Sequence, residues 1–341
     1  MSDQVRPVPV AVVGAGHLGS IHARVLSEMN GAQLLSVVDV DEKRARASAE
    51  PHGAFAGTSL ADLPGEVEAA VVATPTALHE EVAVELLERG IAVLVEKPIA
   101  PTLEAGQRMV DAAAASGVNL MVGHSERFNP VIRALGALEF TPRFIDSQRV
   151  SPFSFRSSDI GVVLDMMIHD IDIILHLVQS DVKAVHAVGV GVMGPKEDLA
   201  NARLLFENGT VANATASRVA LKTERVIRIF SEDAYVTLDY HKRVGRVIRR
   251  GPGLPSDGID LSSAAFQDIQ NPLELMQKDL VRVEELEVDD VEPLNAEDTA
   301  FLDSVRNGIA PPVTGEDGLA ALQCAQQIVA SLQESLRPST S

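Results

Sequence analysis

The chain of 341 residues lacks the residues that mark several protein classes. It has one cysteine, Cys324, which excludes an internal disulfide and a metal site built from cysteines. Its longest apolar runs, such as residues 91–95, are far shorter than the ~20 residues that cross a bilayer. The first residues lack the basic and apolar regions of a secretory signal peptide. These absences predict a cytoplasmic protein that does not span a membrane.

Positive charge is also scarce, and it is unevenly placed. The net charge is −19, which makes nucleic acid and anionic membrane surfaces poor partners. Residues 141–250, however, hold 15 Lys and Arg against 13 Asp and Glu, a net charge of +2. Two explanations stay open for this region: cross-strand ion pairs on an exposed sheet, or the binding of an anionic substrate.

The first 122 residues alternate short apolar runs with amphipathic helical stretches. The runs are typical of strands that are buried on both faces, and they lie at residues 8–13, 34–38, 69–73, 91–95 and 118–122. Helical spacing occurs between them, at residues 17–29, 41–49, 77–89 and 103–116. This alternation predicts an α/β fold, with a doubly wound parallel sheet of the Rossmann type over residues 1–122.

From residue 123 the pattern becomes that of an α+β domain, which we expect over residues 123–341. A strongly helical segment at residues 163–178 precedes several alternating segments between residues 182 and 249. Asn208-Gly209 is a tight-turn signal between two of these segments. The sequence therefore predicts a large, open and mostly antiparallel sheet. The C-terminal helices, within residues 296–336, are expected to pack back on the first domain.

A glycine-rich turn, residues 14–19, joins the first predicted strand to the first helix. Gly14 permits the sharp turn, Gly16 lets the backbone approach a pyrophosphate, and Gly19 allows the helix to pack closely on the strand. A phosphate would accept hydrogen bonds from the N–H groups at the start of that helix. The predicted cofactor contacts in this turn are Gly14, Gly16, His17, Leu18 and Gly19.

Asp39 ends the second predicted strand, twenty residues after the glycine turn. Its carboxylate can accept hydrogen bonds from the ribose 2′-hydroxyl of NAD but would repel the 2′-phosphate of NADP. Lys43 and Arg44 could serve NADP, but they are better explained as exposed positions on the second helix. The sequence therefore predicts NAD as the cofactor.

Two further segments follow strands at the carboxyl edge of the predicted parallel sheet, where doubly wound folds bind ligands. A lysine after the strand at residues 91–95, followed by a proline, is a rigidly aimed cation. The predicted cofactor contacts at this edge are Thr74, Pro75, His79, Glu96 and Lys97.

The helix predicted over residues 163–178 is apolar except for one narrow polar stripe. Asp165, His169, Asp172 and His176 recur at i, i+4, i+7 and i+11, within an arc of about 60°. A stripe of this kind indicates either the wall of a polar cavity or a buried Asp–His pair whose side chains only satisfy each other's hydrogen bonds. The same spacing could hold a metal ion, but without further clustered ligands we expect no metal.

Taken together, these motifs resemble the glucose–fructose oxidoreductase/inositol dehydrogenase/MocA (Gfo/Idh/MocA) family over nearly the full chain. The matching features are the glycine turn, Ala73-Thr74-Pro75 with His79, Glu96-Lys97-Pro98, and Asp165 with His169 and Asp172. The resemblance implies that Lys97, Asp165 and His169 form the catalytic group. It also implies that the open sheet of the second domain builds oligomers.

The chemistry of these residues fits a dehydrogenase independently. Oxidation of a secondary alcohol needs a base for the hydroxyl proton while hydride leaves for the nicotinamide, and the imidazole of His169 suits that role. Asp165, one turn earlier, would orient the imidazole, and Lys97 would stabilise negative charge on the same oxygen. Asp172 would hold a neighbouring sugar hydroxyl.

Residues 123–130 and 151–159 bear on the substrate. Both segments resemble a subgroup of the same family, the UDP-N-acetylglucosamine 3-dehydrogenases, which implies oxidation of a nucleotide sugar from 3-hydroxyl to 3-keto. Arg156 is the first candidate to bind the pyrophosphate, and Arg149 and Arg218 are weaker ones because strand arginines usually form surface ion pairs. The predicted substrate contacts are Lys97, His124, Arg127, Asn129, Arg156 and Asp172.

Assembly follows from the predicted sheet. A sheet with one face packed on helices leaves the other face exposed, and burial of that face against another subunit predicts a homodimer or homotetramer. The apolar residues expected on the exposed face are Val226, Ile229, Val236 and Leu238.

Other functions stay open at this point. The substrate could be inositol or a free sugar instead of a nucleotide sugar. The protein could also be a non-redox, glycosidase-like enzyme that retains NAD as an internal hydride carrier, or a silent NAD-binding sensor. The presence of Lys97, Asp165 and His169 argues against the sensor.

Overall fold

The computed structural model describes residues 6–136, 138, 140–153, 160–253 and 279–335. The chain divides into two compact units. The first unit contains the residues up to Phe128 together with Val291–Gln326, and the second contains Asn129–Asp290 and the chain from Gln327 onward.

The first unit is built on a six-stranded, wholly parallel sheet with the strand order β3-β2-β1-β4-β5-β6. The strands are β1 (Val8–Val13), β2 (Ala32–Val38), β3 (Phe55–Gly57), β4 (Ala69–Val72), β5 (Ala92–Glu96) and β6 (Leu120–Gly123). The helices between them are α1 (His17–Glu28), α2 (Glu42–Ala49), α3 (His79–Glu88) and α4 (Leu103–Ser116). The predicted Rossmann architecture is confirmed.

The strands of this sheet are apolar runs because they are covered on both faces. Every residue of β4 and β5 is buried, and so are five of the six residues of β1. The strand order reverses between β1 and β4, and in such folds the ligand crevice lies outside the carboxyl ends of the strands at this switch point. Strand β3 was missed, since three residues carry no periodic signal.

The helices near the end of the chain are α7 (Pro293–Asn307) and α8 (Gly315–Ser335). Helix α7 packs on α1 and β1, with Phe301 fully buried. The guanidinium of Arg306 donates hydrogen bonds to the backbone carbonyl oxygens of Arg6 and Gly31. Helix α7 is therefore part of the first unit. Gln326 is the last residue of that unit, so the end of α8 belongs to the second.

The second unit is built on an eight-stranded sheet with the order β14-β13-β12-β11-β7-β10-β9-β8, in which β7 and β10 pair in parallel and the other pairs are antiparallel. The strands are β7 (Phe144–Val150), β8 (Val182–Val190), β9 (Leu199–Phe206), β10 (Val211–Ser217), β11 (Glu224–Phe230), β12 (Ala234–Asp239), β13 (Val244–Arg250) and β14 (Val281–Glu285). The predicted open, mostly antiparallel sheet is confirmed, and Gly209 has a positive φ of 85° in the predicted turn between β9 and β10.

Helices α5 (Pro130–Leu135) and α6 (Ile168–Val178) pack on this sheet. A π-helical turn, Val163–Met167, leads directly into α6. No helix among the residues that the structure describes has the length and apolar character needed to cross a membrane.

The residues expected on the exposed face of the sheet are mostly on its buried face, and that prediction was wrong. Ile229, Val236 and Leu238 are at most 1% exposed. Val226 and Ile229 are three positions apart on one strand, so they must lie on opposite faces. The other face carries an aromatic group instead: the ring centroid of Phe230 lies 5.7 Å from that of Phe144 and 4.6 Å from that of Tyr235.

Candidate active site

The glycine turn after β1 is closed so tightly that two of its three glycines accept no side chain. Gly14 has a φ of +98°, and a Cβ there would lie 2.7 Å from backbone atoms of Ala73 and Thr74. A Cβ on Gly19 would lie 1.7 Å from the Gly14 carbonyl oxygen. A Cβ on Gly16 would meet nothing within 4 Å. Gly14 and Gly19 therefore fix the turn, while Gly16 leaves open space for a ligand.

A cleft of about 330 Å³ lies beside this turn in the first unit. Asp39 lines it, and its carboxylate accepts hydrogen bonds from the backbone N–H of Ala15 (2.7 Å) and of Asp41 (2.8 Å). Arg44, Thr58 and Ser59 also line the cleft. Sequence reasoning missed Thr58 and Ser59 because they follow β3, the strand that it did not predict.

The residues of the cleft fit a dinucleotide. Among the described residues no side chain caps the start of α1 at Gly16, so its first N–H groups are available to an anion. The hydroxyl of Thr74 is buried in the cleft wall and has no hydrogen-bond partner in the described part of the chain. Gly14, Gly16, Asp39 and Thr74 are thus the residues that would hold NAD. His17, Leu18 and Pro75 are exposed beside them.

His79 lies beneath this edge of the sheet and is 1% exposed. Its Nε2 is 3.0 Å from the carbonyl oxygen of Thr74, and its Nδ1 is 3.1 Å from that of Pro98. Burial lowers the pKa of His79. The ring therefore ties the segment after β4 to the segment after Lys97, and its contact with the cofactor stays a prediction.

The carboxylate of Glu96 belongs to a buried group that we call the His22 cluster, formed by His22, Glu96, Glu297 and Asp298. His22 Nε2 lies 3.1 Å from Glu96 Oε1, and His22 Nδ1 lies 2.9 Å from Asp298 Oδ1. The other Glu96 oxygen accepts the backbone N–H of Lys97 at 3.2 Å. Both Glu297 oxygens are buried with no hydrogen-bond partner among the described residues.

The charges in the His22 cluster shift one another's pKa. Burial opposes a charged His22, but Asp298 and Glu96 outweigh it and hold the pKa of His22 well above its usual value. Burial likewise opposes a charged Glu96, but His22 and Lys97 lower its pKa. Burial, together with the charge of Glu96, raises the pKa of Glu297 well above its usual value. Burial also raises the pKa of Asp298. These shifts favour a charged imidazole at His22 and a protonated carboxyl group at Glu297.

Sequence reasoning did not find three members of this cluster. His22, Glu297 and Asp298 are each 0% exposed. His22 and the Glu297-Asp298 pair lie 275 residues apart in the sequence, on two helices whose pattern gives no sign that they meet. The available signal was a run of two acids in the first turns of a helix that we expected to pack on the first domain.

His124, Arg127 and Asn129 are almost completely buried, at 1%, 9% and 6% exposure. The Arg127 guanidinium lies 3.7 Å from the carboxylate of Asp317. The Asn129 side chain caps α5 by accepting the backbone N–H of Val131 at 3.3 Å. Local contacts thus engage Arg127 and Asn129, and their roles toward a substrate stay predictions.

The polar stripe of the second unit begins in the π-helical turn and continues along α6. Asp165 and His169 are partly buried, Asp172 is 1% exposed and His176 is exposed. The extra residue in a π-helical turn changes the angle between Asp165 and His169 from that of a regular helix, and such turns are frequent at functional sites. The part of the stripe that faces the protein interior therefore ends at Asp172.

Ion pairs account for much of the positive charge of residues 141–250. Arg149 and Arg218, the weaker pyrophosphate candidates, each lie 2.7 Å from a buried carboxylate, of Asp170 and Asp198 respectively. Further pairs lie on the sheet, such as Arg228 with Asp146, Arg246 with Glu285 and Arg249 with Asp233. The charge excess alone therefore does not identify an anion site. Arg156 lies outside the described residues.

Two family models match the chain. The oxidoreductase family with an NAD-binding Rossmann fold, Gfo/Idh/MocA, matches residues 8–124. The C-terminal domain of the same family matches residues 140–237. Together the two matches include the glycine turn, Lys97 and the stripe from Asp165 to Asp172.

Individual relatives differ in how much of the chain they match. UDP-N-acetylglucosamine 3-dehydrogenase of Acidithiobacillus ferrooxidans is 34% identical over 275 residues, which is 77% of this chain and 87% of that protein. Its solved structure has a TM-score of 0.87 at 31% identity and covers 98% of this chain and 100% of that one. Inositol 2-dehydrogenase of Pseudarthrobacter chlorophenolicus is 38% identical over 136 residues, 38% of this chain and 40% of that protein.

Proposed function

The chain belongs to the Gfo/Idh/MocA oxidoreductase family and carries its NAD-binding Rossmann domain, and on this premise we propose that it oxidises a nucleotide sugar. The proposed substrate is UDP-N-acetylglucosamine, converted from the 3-hydroxyl to the 3-keto form. The observation that supports this substrate is the extent of the likeness to the 3-dehydrogenase. That likeness covers 77% of the chain, whereas the inositol dehydrogenase match covers 38%.

We propose that Lys97, Asp165 and His169 perform the chemistry. NAD, held by the glycine turn and Asp39, would supply the hydride acceptor for this oxidation. His169 removes the hydroxyl proton as general base, and Asp165 orients the imidazole and stabilises its protonated form. Lys97 donates a hydrogen bond to the reacting oxygen and stabilises the negative charge that develops there.

Substrate binding is proposed for a further set of residues. Asp172 holds a hydroxyl next to the reacting carbon, and Arg156 binds the pyrophosphate. The engagement of Arg149 and Arg218 by buried aspartates supports Arg156 over these two. The remaining proposed contacts are His124, Arg127 and Asn129.

We also propose that the protein is a cytoplasmic homo-oligomer, a dimer or tetramer. The aromatic group of Phe144, Phe230 and Tyr235 on the open face of the sheet supports this assembly, because a second copy would remove it from water. Light scattering at micromolar concentration measures the mass directly. A stable monomer near 36.3 kDa contradicts the proposal.

The substrate is tested with purified protein, NAD and a panel of alcohols. The panel contains UDP-N-acetylglucosamine, UDP-glucose, free N-acetylglucosamine and myo-inositol, with hydroxylamine present to trap the keto product. We expect absorbance of reduced nicotinamide with UDP-N-acetylglucosamine and little with the two compounds that lack UDP. Oxidation of myo-inositol without oxidation of either UDP-sugar would show that the nucleotide-sugar proposal is wrong.

A further inference from the structure

The feature that the proposed reaction leaves unused is the His22 cluster. It joins three elements of the first unit: α1 through His22, β5 through Glu96, and α7 through Glu297 and Asp298. Glu96 is followed directly by Lys97, the residue proposed to act on the reacting oxygen. The cluster therefore lies immediately behind a proposed catalytic residue, where it contacts that residue's backbone.

The hydrogen bonds of the cluster form an ordered chain. Asp298 contacts His22 Nδ1 through both of its oxygens, at 2.9 and 3.2 Å. His22 Nε2 contacts one oxygen of Glu96, and the other Glu96 oxygen accepts the Lys97 backbone N–H. His22 and Asp298 are 0% exposed and Glu96 is 8% exposed, so these hydrogen bonds are shielded from water.

We propose that His22, Glu96 and Asp298 are positioning residues for Lys97: Asp298 and His22 hold the Glu96 carboxylate in place, and that carboxylate fixes the Lys97 backbone and keeps a negative charge beside its ammonium group. The inference rests on the proposed catalytic role of Lys97. The charge of Lys97 lowers the pKa of Glu96, and the same attraction favours the protonated, hydrogen-bond-donating form of the lysine. Lys97 then stays a cation with a fixed backbone throughout the reaction.

The geometry favours protons in this cluster over a metal ion. One donor atom each of His22, Glu96 and Glu297 lies within 4.8 Å of the others, which a divalent ion could in principle bridge. Both ring nitrogens of His22, however, already lie at hydrogen-bond distance from carboxylate oxygens. An imidazolium that donates from both nitrogens satisfies these contacts, whereas a metal ligand would need a bare nitrogen.

The test compares Glu96→Gln and His22→Asn with Ser304→Ala. Ser304 is a matched control because it is a buried polar residue of α7, and its hydroxyl contacts Asn119 instead of the cluster. With UDP-N-acetylglucosamine, we expect Glu96→Gln to lower kcat by roughly 10–100-fold, the usual effect of losing a residue that orients a catalytic one. The KM for NAD should be unchanged, and the alkaline limb of the kcat–pH profile should move to lower pH, because the lysine loses its neighbouring negative charge. Ser304→Ala should change neither kcat nor the pH profile.

A second measurement does not depend on turnover. NMR of ¹³C-dimethylated lysines reports the pKa of Lys97, with its signal identified from Lys97→Arg, and we expect Glu96→Gln to lower that pKa. Ring ¹⁵N signals of histidine should show His22 as an imidazolium up to alkaline pH. These readouts stay valid if no sugar is oxidised, in which case the proposed function falls while the positioning role stands.

Three results would overturn the inference. One is an unchanged Lys97 pKa in Glu96→Gln, with a pH profile like that of Ser304→Ala. Another is a raised KM for NAD at normal kcat, which would make Glu96 a cofactor contact. The third is one equivalent of a divalent metal in the purified protein that is lost in Glu297→Gln.

Discussion

Arg149 and Arg218 of the second unit each meet one buried aspartate, whereas three buried carboxylates surround the single imidazole of His22 in the first unit. The matched pairs balance their charges, and further hydrogen bonds satisfy them: Ser147 donates to Asp170, and Arg218 donates to the carbonyl oxygen of Ile160. The charges of the His22 cluster cannot balance unless some of its groups take up protons.

This difference separates two uses of buried charge. A matched pair neutralises its own charge and holds elements together, here β7 to α6 through Arg149 and Asp170. A mismatched cluster changes its proton content with its surroundings, so that it can respond to pH and to a neighbouring charge. The first kind is expected to govern stability alone, and the second to affect both stability and the adjoining site.

The largest expected effect is on turnover, and it concerns His169 and Lys97. The neighbour of His169, Asp170, should instead affect mainly stability. His169→Ala and Lys97→Ala should each lower kcat by roughly 10²–10⁴-fold and leave NAD affinity unchanged, because both groups act on the reacting oxygen. The double variant should lose less than the product of the single effects, since both act in one proton transfer. Turnover and Tm of His169→Ala are measured together. A large fall in Tm with near-normal turnover would show that the polar stripe stabilises the core and takes no part in catalysis.

Breaking a matched pair should mainly cost stability. Asp170→Ala leaves the Arg149 guanidinium buried without its carboxylate, and we expect a loss of about 3–5 kcal/mol in the free energy of unfolding. Urea denaturation measures it, with Asp146→Ala as the control, because Asp146 is a partly exposed carboxylate on the same strand as Arg149. A loss no larger than that of the control would remove the distinction between the two kinds of buried charge.

Removing a carboxyl group from the mismatched cluster should raise the stability of the fold at alkaline pH instead of lowering it. Because the pKa of Glu297 is raised by burial, the folded state binds its proton more tightly than the unfolded state. Its contribution to stability is therefore complete at acidic pH and is lost as the pH rises toward the raised pKa. Glu297→Gln should melt about as wild type near pH 5 and a few degrees higher near pH 9. A Tm difference that does not change between these pH values would contradict a raised pKa.

The smallest expected effect concerns Asp39. NAD should bind at least about tenfold more tightly than NADP, a difference of about 1.4 kcal/mol, because the Asp39 carboxylate repels a 2′-phosphate. Asp39→Ala should narrow that ratio, and Arg44→Ala should widen it, since Arg44 lines the same cleft. Titration of both cofactors measures the ratio, and equal affinities in the wild-type protein would contradict the assignment.

Much of this architecture could be predicted from the sequence because it depends on local patterns. The runs in β1 and β4, and in β5 as far as Val95, are apolar, since strands covered on both faces leave little room for polar residues. The glycine turn was equally clear, because Gly14 and Gly19 leave no space for a Cβ. Short edge strands such as β3 and β14 were missed, as they bury too little to carry a periodic signal.

The sequence by itself determined the Rossmann domain, the open sheet, the cofactor turn and the candidate residues Lys97, Asp165 and His169, since each follows from spacing within a few residues or from a family motif. The tertiary structure alone decided which charges meet. It placed His22 beside Asp298 across 276 positions, and it assigned Arg149 and Arg218 to buried aspartates. The physical reason is that a hydrogen bond or an ion pair depends on distance in space, and no local pattern encodes the approach of two remote helices.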